Sequence, residues 1–390
     1  MSAEEFRLAM RERPIAMQMW TDPRLLTQEL AQTASAAEVL RLISPWVGGP
    51  HFNWIHMATS IYRLGVHHED FAAEEAASPV LAELVVETRQ ALVAQSVGDH
   101  GVSNIFVALA NLHPHTEPFQ GLFAPLVQLA ERRGKSMSAR QAANILWAVA
   151  TLKDVFTGFP VLGSRLAAQT IAKRESMNAG DLAHCIWAAA TLQEDAPGVR
   201  VLPEGLVEVT GRLAPAMGPL ELSTIMYSVS VLQMGGSNVE DMIVALRQRF
   251  LACLDRAAPR QRATFCAGLA YLGVQDAALM GPVAESLVQK GRRLIGKELT
   301  MDLPEVIWAH ARLGLECNPL LSLAAELLAR RTSELKDWAA CVLLWSFIKL
   351  DKDGRHADFR QSLVREVKKR GLDSSSVSAA RLGPRNWNQT

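Results

Sequence analysis

A leucine closing one short motif recurs at Leu64, Leu112, Leu152, Leu192, Leu232, Leu272, Leu313 and Leu350, with successive spacings of 48, 40, 40, 40, 40, 41 and 37 residues. The motif is clearest as ANILWAVATLK, Ala143 to Lys153, and returns as AHCIWAAATLQ, Ala183 to Gln193, and STIMYSVSVLQ, Ser223 to Gln233. A period held this closely means one supersecondary unit copied in series, each copy too small to bury its apolar face without its neighbours. Within a copy, two apolar runs at helical spacing are separated by connections rich in Gly, Pro, Asp and Ser. Nothing alternates with a period of two, so strands are not expected. The pattern predicts an all-α chain, an α-solenoid of about eight two-helix repeats with a C-terminal cap.

A single core of 390 residues would conventionally divide into two or three domains, but a repeat array has no single core to outgrow. The expected organisation is an N-terminal lead-in over residues 1–32, the repeat array over 33–370, and a polar tail over 371–390 that closes the apolar end of the stack. Residues 1–20 read as an amphipathic or frayed stretch. A first helix is expected from Thr33, in TASAAEVLRLISPW, and Gly65 is expected to end the second helix of copy one. The insertion HHEDFAAEEAASP reads as a solvated loop or an extra helical turn. In copy seven the first helix is expected to reach toward Gly296, with Pro304 in the first turn of the second helix, where its missing N–H is harmless.

No run of about 18 apolar residues exists, so no membrane span is expected. The opening residues lack the apolar stretch of a secretory signal, and Glu4, Glu5 and Glu12 argue against a transit peptide in this numbering. Cys185, Cys253, Cys266, Cys317 and Cys341 show no metal spacing and read as buried, reduced thiols. There is no phosphate-cradling glycine loop, no nucleophile elbow and no zinc-binding helix motif. No catalytic residue, cofactor or metal is therefore expected; the chain reads as a binding protein rather than an enzyme.

Aligned on the closing leucine, the second helix of each copy shows what every column does. Columns at Ile145 and Leu146 are apolar and read as core. The column at Ala148 is small throughout, which favours close packing. The aromatic column of Trp147, Trp187, Tyr227, Trp308 and Trp345 reads as packing between helix pairs. Three residues before Trp147 lies a polar column of His56, Asn104, Asn144, His184, Thr224 and Thr264, followed by Glu305 and Val342. A further polar column, including Gln141 and Asp181, comes three residues earlier, and spacings of three and four share a helix face. The earlier column suits capping of the helix start. The later one is open between a structural ladder and the reading of nucleobase edges.

Net charge is zero, from 40 basic and 40 acidic residues, but residues 1–100 carry 7 basic and 13 acidic side chains, so the remainder is net basic. Cations recur where first helices end: Arg132 and Arg133, Lys173 and Arg174, Arg212, Arg292 and Arg293, Arg330 and Arg331. They suit the helix dipole, and stacked they would also form a positive row along which phosphates could lie.

The pattern NILWAVATL, with Asn144, Trp147, Ala150 and Leu152, and its relatives IWAAATL and IWAHARLGL resemble the octotricopeptide repeat. The resemblance covers about residues 33–370, and the opening TASAAEVLRLISPWVGGPHFNWIHMATSIYRLG also resembles proteins that end in an RNA-associated RAP domain, although no such domain follows Arg370. The resemblance implies an α-solenoid binding single-stranded RNA, organellar mRNA or rRNA, in a mitochondrion or chloroplast. It also implies work beside ribosomal or RNA-processing proteins in transcript stability, processing, translation or ribosome assembly. Candidate base contacts are then His56, Asn104, Asn144, His184, Thr224, Thr264, Gln141 and Asp181, at about one nucleotide per repeat and so on the order of eight in all. The alternative is an armadillo-like scaffold for proteins or a structural subunit of a large assembly, which the zero net charge favours.

Overall fold

The computed structural model describes residues 23–379, and among them 20 α-helices and no strand. Numbered in chain order, the second helices of successive copies are α3 (Trp54–Val66), α6 (Asp99–Asn111), α8 (Ala139–Thr151), α10 (Ala179–Leu192), α12 (Pro219–Val231), α14 (Pro259–Leu272), α16 (Leu303–Leu313) and α18 (Asp337–Leu350). The first helices are α5 (Pro79–Val93), α7 (Gln120–Arg133), α9 (Gly158–Ile171), α11 (Val201–Leu213), α13 (Ser237–Ala252), α15 (Ala277–Lys290), α17 (Asn318–Leu328) and α19 (Ala357–Lys369). Four more are α1 (Pro23–Gln32), α2 (Ala36–Ile43), the short α4 (Ala73–Ala76) and α20 (Ser374–Ala379).

Packing divides the chain into two compact units, residues 1–206 and 207–390. In the first unit the second helices stack in series, α3 on α6, α6 on α8 and α8 on α10, while the first helices form their own layer, α5 on α7 and α7 on α9. In the second unit α12, α14, α16 and α18 stack in the same way, α15 lies on α17, and α19 and α20 lie against α18. The architecture is the all-α helical-repeat solenoid that the periodicity predicts. No described helix is long and apolar enough to cross a membrane.

The columns explain why the layers form. The core columns are buried in every copy, from Ile145 and Leu146 to Phe265, Cys266, Leu343 and Leu344. Removing one such leucine or isoleucine side chain costs about 2–5 kcal/mol, so these columns dominate the stability of the stack. The small column is buried too, and its size is a requirement of neighbouring backbones. A Cβ added to Gly268 would stand 3.0 Å from the backbone carbonyl carbon of Met226 on the adjacent helix.

Local details depart from the sequence reading at three places. Gly65 does not end α3, which continues to Val66; a Cβ there would lie 2.6 Å from the Cα of Ala108, so the glycine admits α6 instead. In copy seven the first helix stops at Lys290, where Gly291 takes φ +50°, and a π turn over Glu298–Asp302 precedes α16. Pro304 does stand in the first turn of α16. The helix expected from Thr33 begins at Ala36, because Ser35 caps it: its hydroxyl accepts from Glu38 N at 3.2 Å while the Glu38 carboxylate accepts from Ala34 N.

Elsewhere the insertion before copy two holds a 3-10 turn, His68–Asp70, and then α4. Within the stretch read as lead-in, α1 packs on α3 with Leu26 and Leu30 fully buried. The amphipathic reading of residues 1–20 and the last part of the polar tail, 380–390, lie outside the described residues.

Candidate nucleic-acid interface

Reciprocal caps fix the start of five second helices, those of copies one and three to six. In α8, Ser138 Oγ accepts from Gln141 N at 3.2 Å and Gln141 Oε1 accepts from Ser138 N at 2.8 Å. Asn178 and Asp181 make the same reciprocal pair in α10, at 3.0 and 3.1 Å. Glu221 and Gln261 likewise accept from Gly218 N and Ala258 N. The earlier polar column is thus a capping column, and Asp181, only 5% exposed, is spent on it. Copy one is shifted by one turn: Asn53 is the cap, and His56 stands at the third helical position, its Nδ1 accepting from Asn53 N at 3.1 Å. His56 is 1% exposed and stacked on Phe52, so this base-contact candidate is corrected to a cap.

The later column behaves differently. Asn104, Asn144, His184, Thr224 and Thr264 are all half-exposed, and so, three residues on, are Trp147, Trp187 and Tyr227. Residues three apart share a face, so the aromatic column lies on the same open stripe as the polar one. Its reading as internal packing holds fully only for Trp308, which is completely buried.

In the first unit these stripes converge. Tyr62 of α3, His100, Ser103, Asn104 and Val107 of α6, Ser138, Arg140, Gln141, Asn144 and Trp147 of α8, and His184 of α10 line one cleft of about 610 Å³. Trp147 and His184 are already stacked, with ring centroids 5.5 Å apart and planes 25° from parallel. Asn104 Nδ2 approaches His100 Nε2 at 3.3 Å. Ser103 is 1% exposed, and its hydroxyl has no hydrogen-bond partner although the residue lines the cleft. Arg140 is exposed and makes no ion pair among the described residues. An aromatic platform, amide edges and a cation together suit a base and its phosphate.

The row of cations at the ends of first helices is largely engaged inside the protein. Arg133 donates to Gln95 O at 2.7 Å and to Asp99 Oδ1 at 3.1 Å; Lys173 donates to Gly134 O at 2.9 Å. Arg292 is paired with Glu326, Arg331 with Glu334, and Arg174 loosely with Glu175. Arg212 lines a smaller cleft of about 400 Å³ with Glu208, Asn238 and Asp241. Arg132, Arg293 and Arg330 are exposed. The repeat spacing of Arg133 and Lys173 therefore serves a staple: each reaches back to the connection of the preceding copy. Arg249 and Arg370 do the same, to Met217 O and to Thr332 O and Leu335 O.

Copies seven and eight differ again. In the column of Asn144 stands Glu305, and in that of Gln141 stands Asp302, both 3% exposed. Arg260, which occupies the column of Arg140, places Nη1 2.6 Å from Glu305 Oε2 and 3.1 Å from Asp302 Oδ1. Burial pushes the Glu305 carboxyl above the usual range and the Arg260 charge opposes it. Val342 of copy eight is fully buried, and Lys349 Nζ lies 5.1 Å from the ring centroid of Trp345.

All five cysteines are free and buried, and burial holds their thiols protonated, Cys317 being pushed up to about 12. Among the described residues no group of three His, Cys, Asp or Glu side chains is placed to hold a metal ion.

Sequence reasoning missed Tyr62, His100, Ser103 and Arg140. The signal for two of them was present: His100 and Arg140 share one column, one position before the capping residue. Compared with family models and with curated proteins, the chain matches none.

Proposed function

We propose that this chain is a sequence-selective single-stranded RNA-binding protein of the helical-repeat kind, holding an extended segment against its second helices. The observation that carries the reading is the cleft of the first unit, where Asn104, Asn144, His184 and Trp147 from three adjacent helices meet Arg140. Bases stack on aromatic rings at about 1–3 kcal/mol each, while amide and imidazole edges discriminate among them. The mechanism is positional: the bound segment is kept extended, shielded, or presented to a processing enzyme or a ribosome. The octotricopeptide resemblance is the ground for proposing that such work is done in a mitochondrion or chloroplast, on mRNA or rRNA. A ribosomal subunit contacting rRNA would meet the same description.

Fluorescence anisotropy with pooled single-stranded RNA at low and moderate salt tests it. Binding that weakens with salt is expected. Arg140→Ser is expected to weaken binding to all sequences alike, and His184→Ala to change which sequence is preferred. No binding at low salt would favour the second reading, a protein scaffold. That reading draws on the engagement of the helix-end cations and on exposed apolar side chains of the first-helix layer, Val86, Val93 and Val161.

A further inference from the structure

The cleft of the first unit pairs its polar side chains by column. His100 and Arg140 hold one position of the repeat, and Asn104 and Asn144 another, one turn further along α6 and α8. These helices are stacked neighbours, and all four residues line the same cleft. The outer pair is exposed and the inner pair half-exposed, so an imidazole and a guanidinium form a rim above two carboxamides and the Trp147 ring. A strand whose bases lie on those amides and that ring has its phosphates at the rim. Arg140 brings a fixed charge there. Histidine brings a conditional one, because its charge ordinarily changes between about pH 5 and 8. Asn104 Nδ2 lies 3.3 Å from His100 Nε2. An amide nitrogen only donates, so in this contact Nε2 bears no proton and the imidazole is neutral. A proton added there displaces the amide and leaves an N–H free to donate to a phosphate oxygen. The titratable and charged groups around His100 are Arg140 from α8, Tyr62 from α3, and Asp99 beside it, which is already held by Arg133 of α7 and by Ser136. Without RNA the Arg140 charge opposes a second positive charge at the rim, whereas a phosphate there favours it.

We propose that the rim of this cleft is a proton-linked phosphodiester site, with Arg140 as its fixed cation and His100 as a second cation that forms when the imidazole takes up a proton. RNA binding then tightens as pH falls from about 8 to about 5.5. The proposal rests on the RNA-binding reading and adds its regulation by pH. It also moves the phosphate path from the ends of the first helices, where Arg133 and Lys173 act as staples, to the starts of α6 and α8.

The test is the affinity of the full chain for a random pool of short single-stranded RNA, measured by fluorescence anisotropy at about pH 8 and about pH 5.5. The parent is expected to bind at least about threefold tighter at the lower pH, the gain of one charge-assisted contact. The slope of log affinity against log salt is expected to steepen by about 0.7, the value for one further phosphate neutralised on a single strand. His100→Gln is expected to keep less than half of the parent's logarithmic gain. His68→Gln, which alters an exposed histidine outside the cleft, is expected to keep all of it. Any contribution of His184, stacked on Trp147, is common to the parent and both variants. His100→Lys makes the charge permanent and is expected to bind at least about threefold tighter than the parent at about pH 8. A smaller gain in the parent, half or more of it surviving in His100→Gln, or an equal loss in His68→Gln would overturn the proton link and leave the RNA reading intact. Should His100→Gln fail to fold, His100→Lys decides, and affinity no tighter than the parent's at the higher pH overturns the link. No binding by the parent at either pH would overturn both.

Discussion

Gly65 shows how one position can override a general propensity. An alanine in a helix is ordinarily worth about 0.5–1 kcal/mol over glycine, but here the new methyl would lie 2.6 Å from Ala108 Cα. Gly65→Ala is therefore expected to lower stability by about 1–3 kcal/mol. Gly121→Ala, in the first turn of α7 with only Arg89 Cδ at 3.8 Å, is expected to raise it. Thermal melts of the two variants should move in opposite directions; a stabilised Gly65→Ala would refute the close approach. Glu305 supplies a second case. A carboxyl held above its ordinary value of 4.5 favours the fold while protonated, fully so below its unfolded-state value, and that contribution is lost as pH rises through the folded-state value. Glu305→Gln removes the loss. Its Tm relative to the parent is expected to rise from about pH 4 to about pH 8, and a flat or falling difference would contradict the burial argument.

At the level of helices, the period of 40 residues and the apolar columns were enough to place nearly every second helix, because the same two columns must be buried in each copy whatever the neighbours are. The boundaries that sequence misplaced, at Gly65, Lys290 and Ala36, depend on backbone approach, a positive φ and a particular capping hydroxyl, none of which periodicity records. The candidate site was legible in part. Asn104, Asn144 and His184 do share a cleft, while His56 is diverted because copy one starts a turn later. The cation row was legible as a row but its purpose was not, since a charge spaced one repeat apart serves an internal carbonyl as well as a phosphate. Arg370 illustrates that purpose: it donates to Leu335 O, Thr332 O, Ser333 O and Asp337, and pairs with Glu366. Arg370→Ala is expected to cost about 2 kcal/mol and to lower Tm by roughly 4–8 °C. Faster hydrogen exchange confined to α19 and the 332–337 connection would locate the effect; unchanged exchange there would show that the staple holds nothing.

Across the whole chain, the repeated helix pairs keep a buried layer constant and vary one exposed stripe, and in the first unit that stripe opens into a cleft with rings, amides and a cation. Zero net charge is compatible with this, because the stapling Arg133 and Arg370 are matched by carboxylates, and Arg140 is the arginine lining the cleft. The decisive experiment is photo-cross-linking of single-stranded RNA carrying 4-thiouridine to the full chain, with the attached peptides identified by mass spectrometry. Cross-links are expected on α6, α8 and α10, within peptides containing Asn104, Trp147 and His184, and their yield should fall in Arg140→Ser. Cross-links confined to the first helices or to α16 and α18, or none at low salt, would contradict the proposed interface.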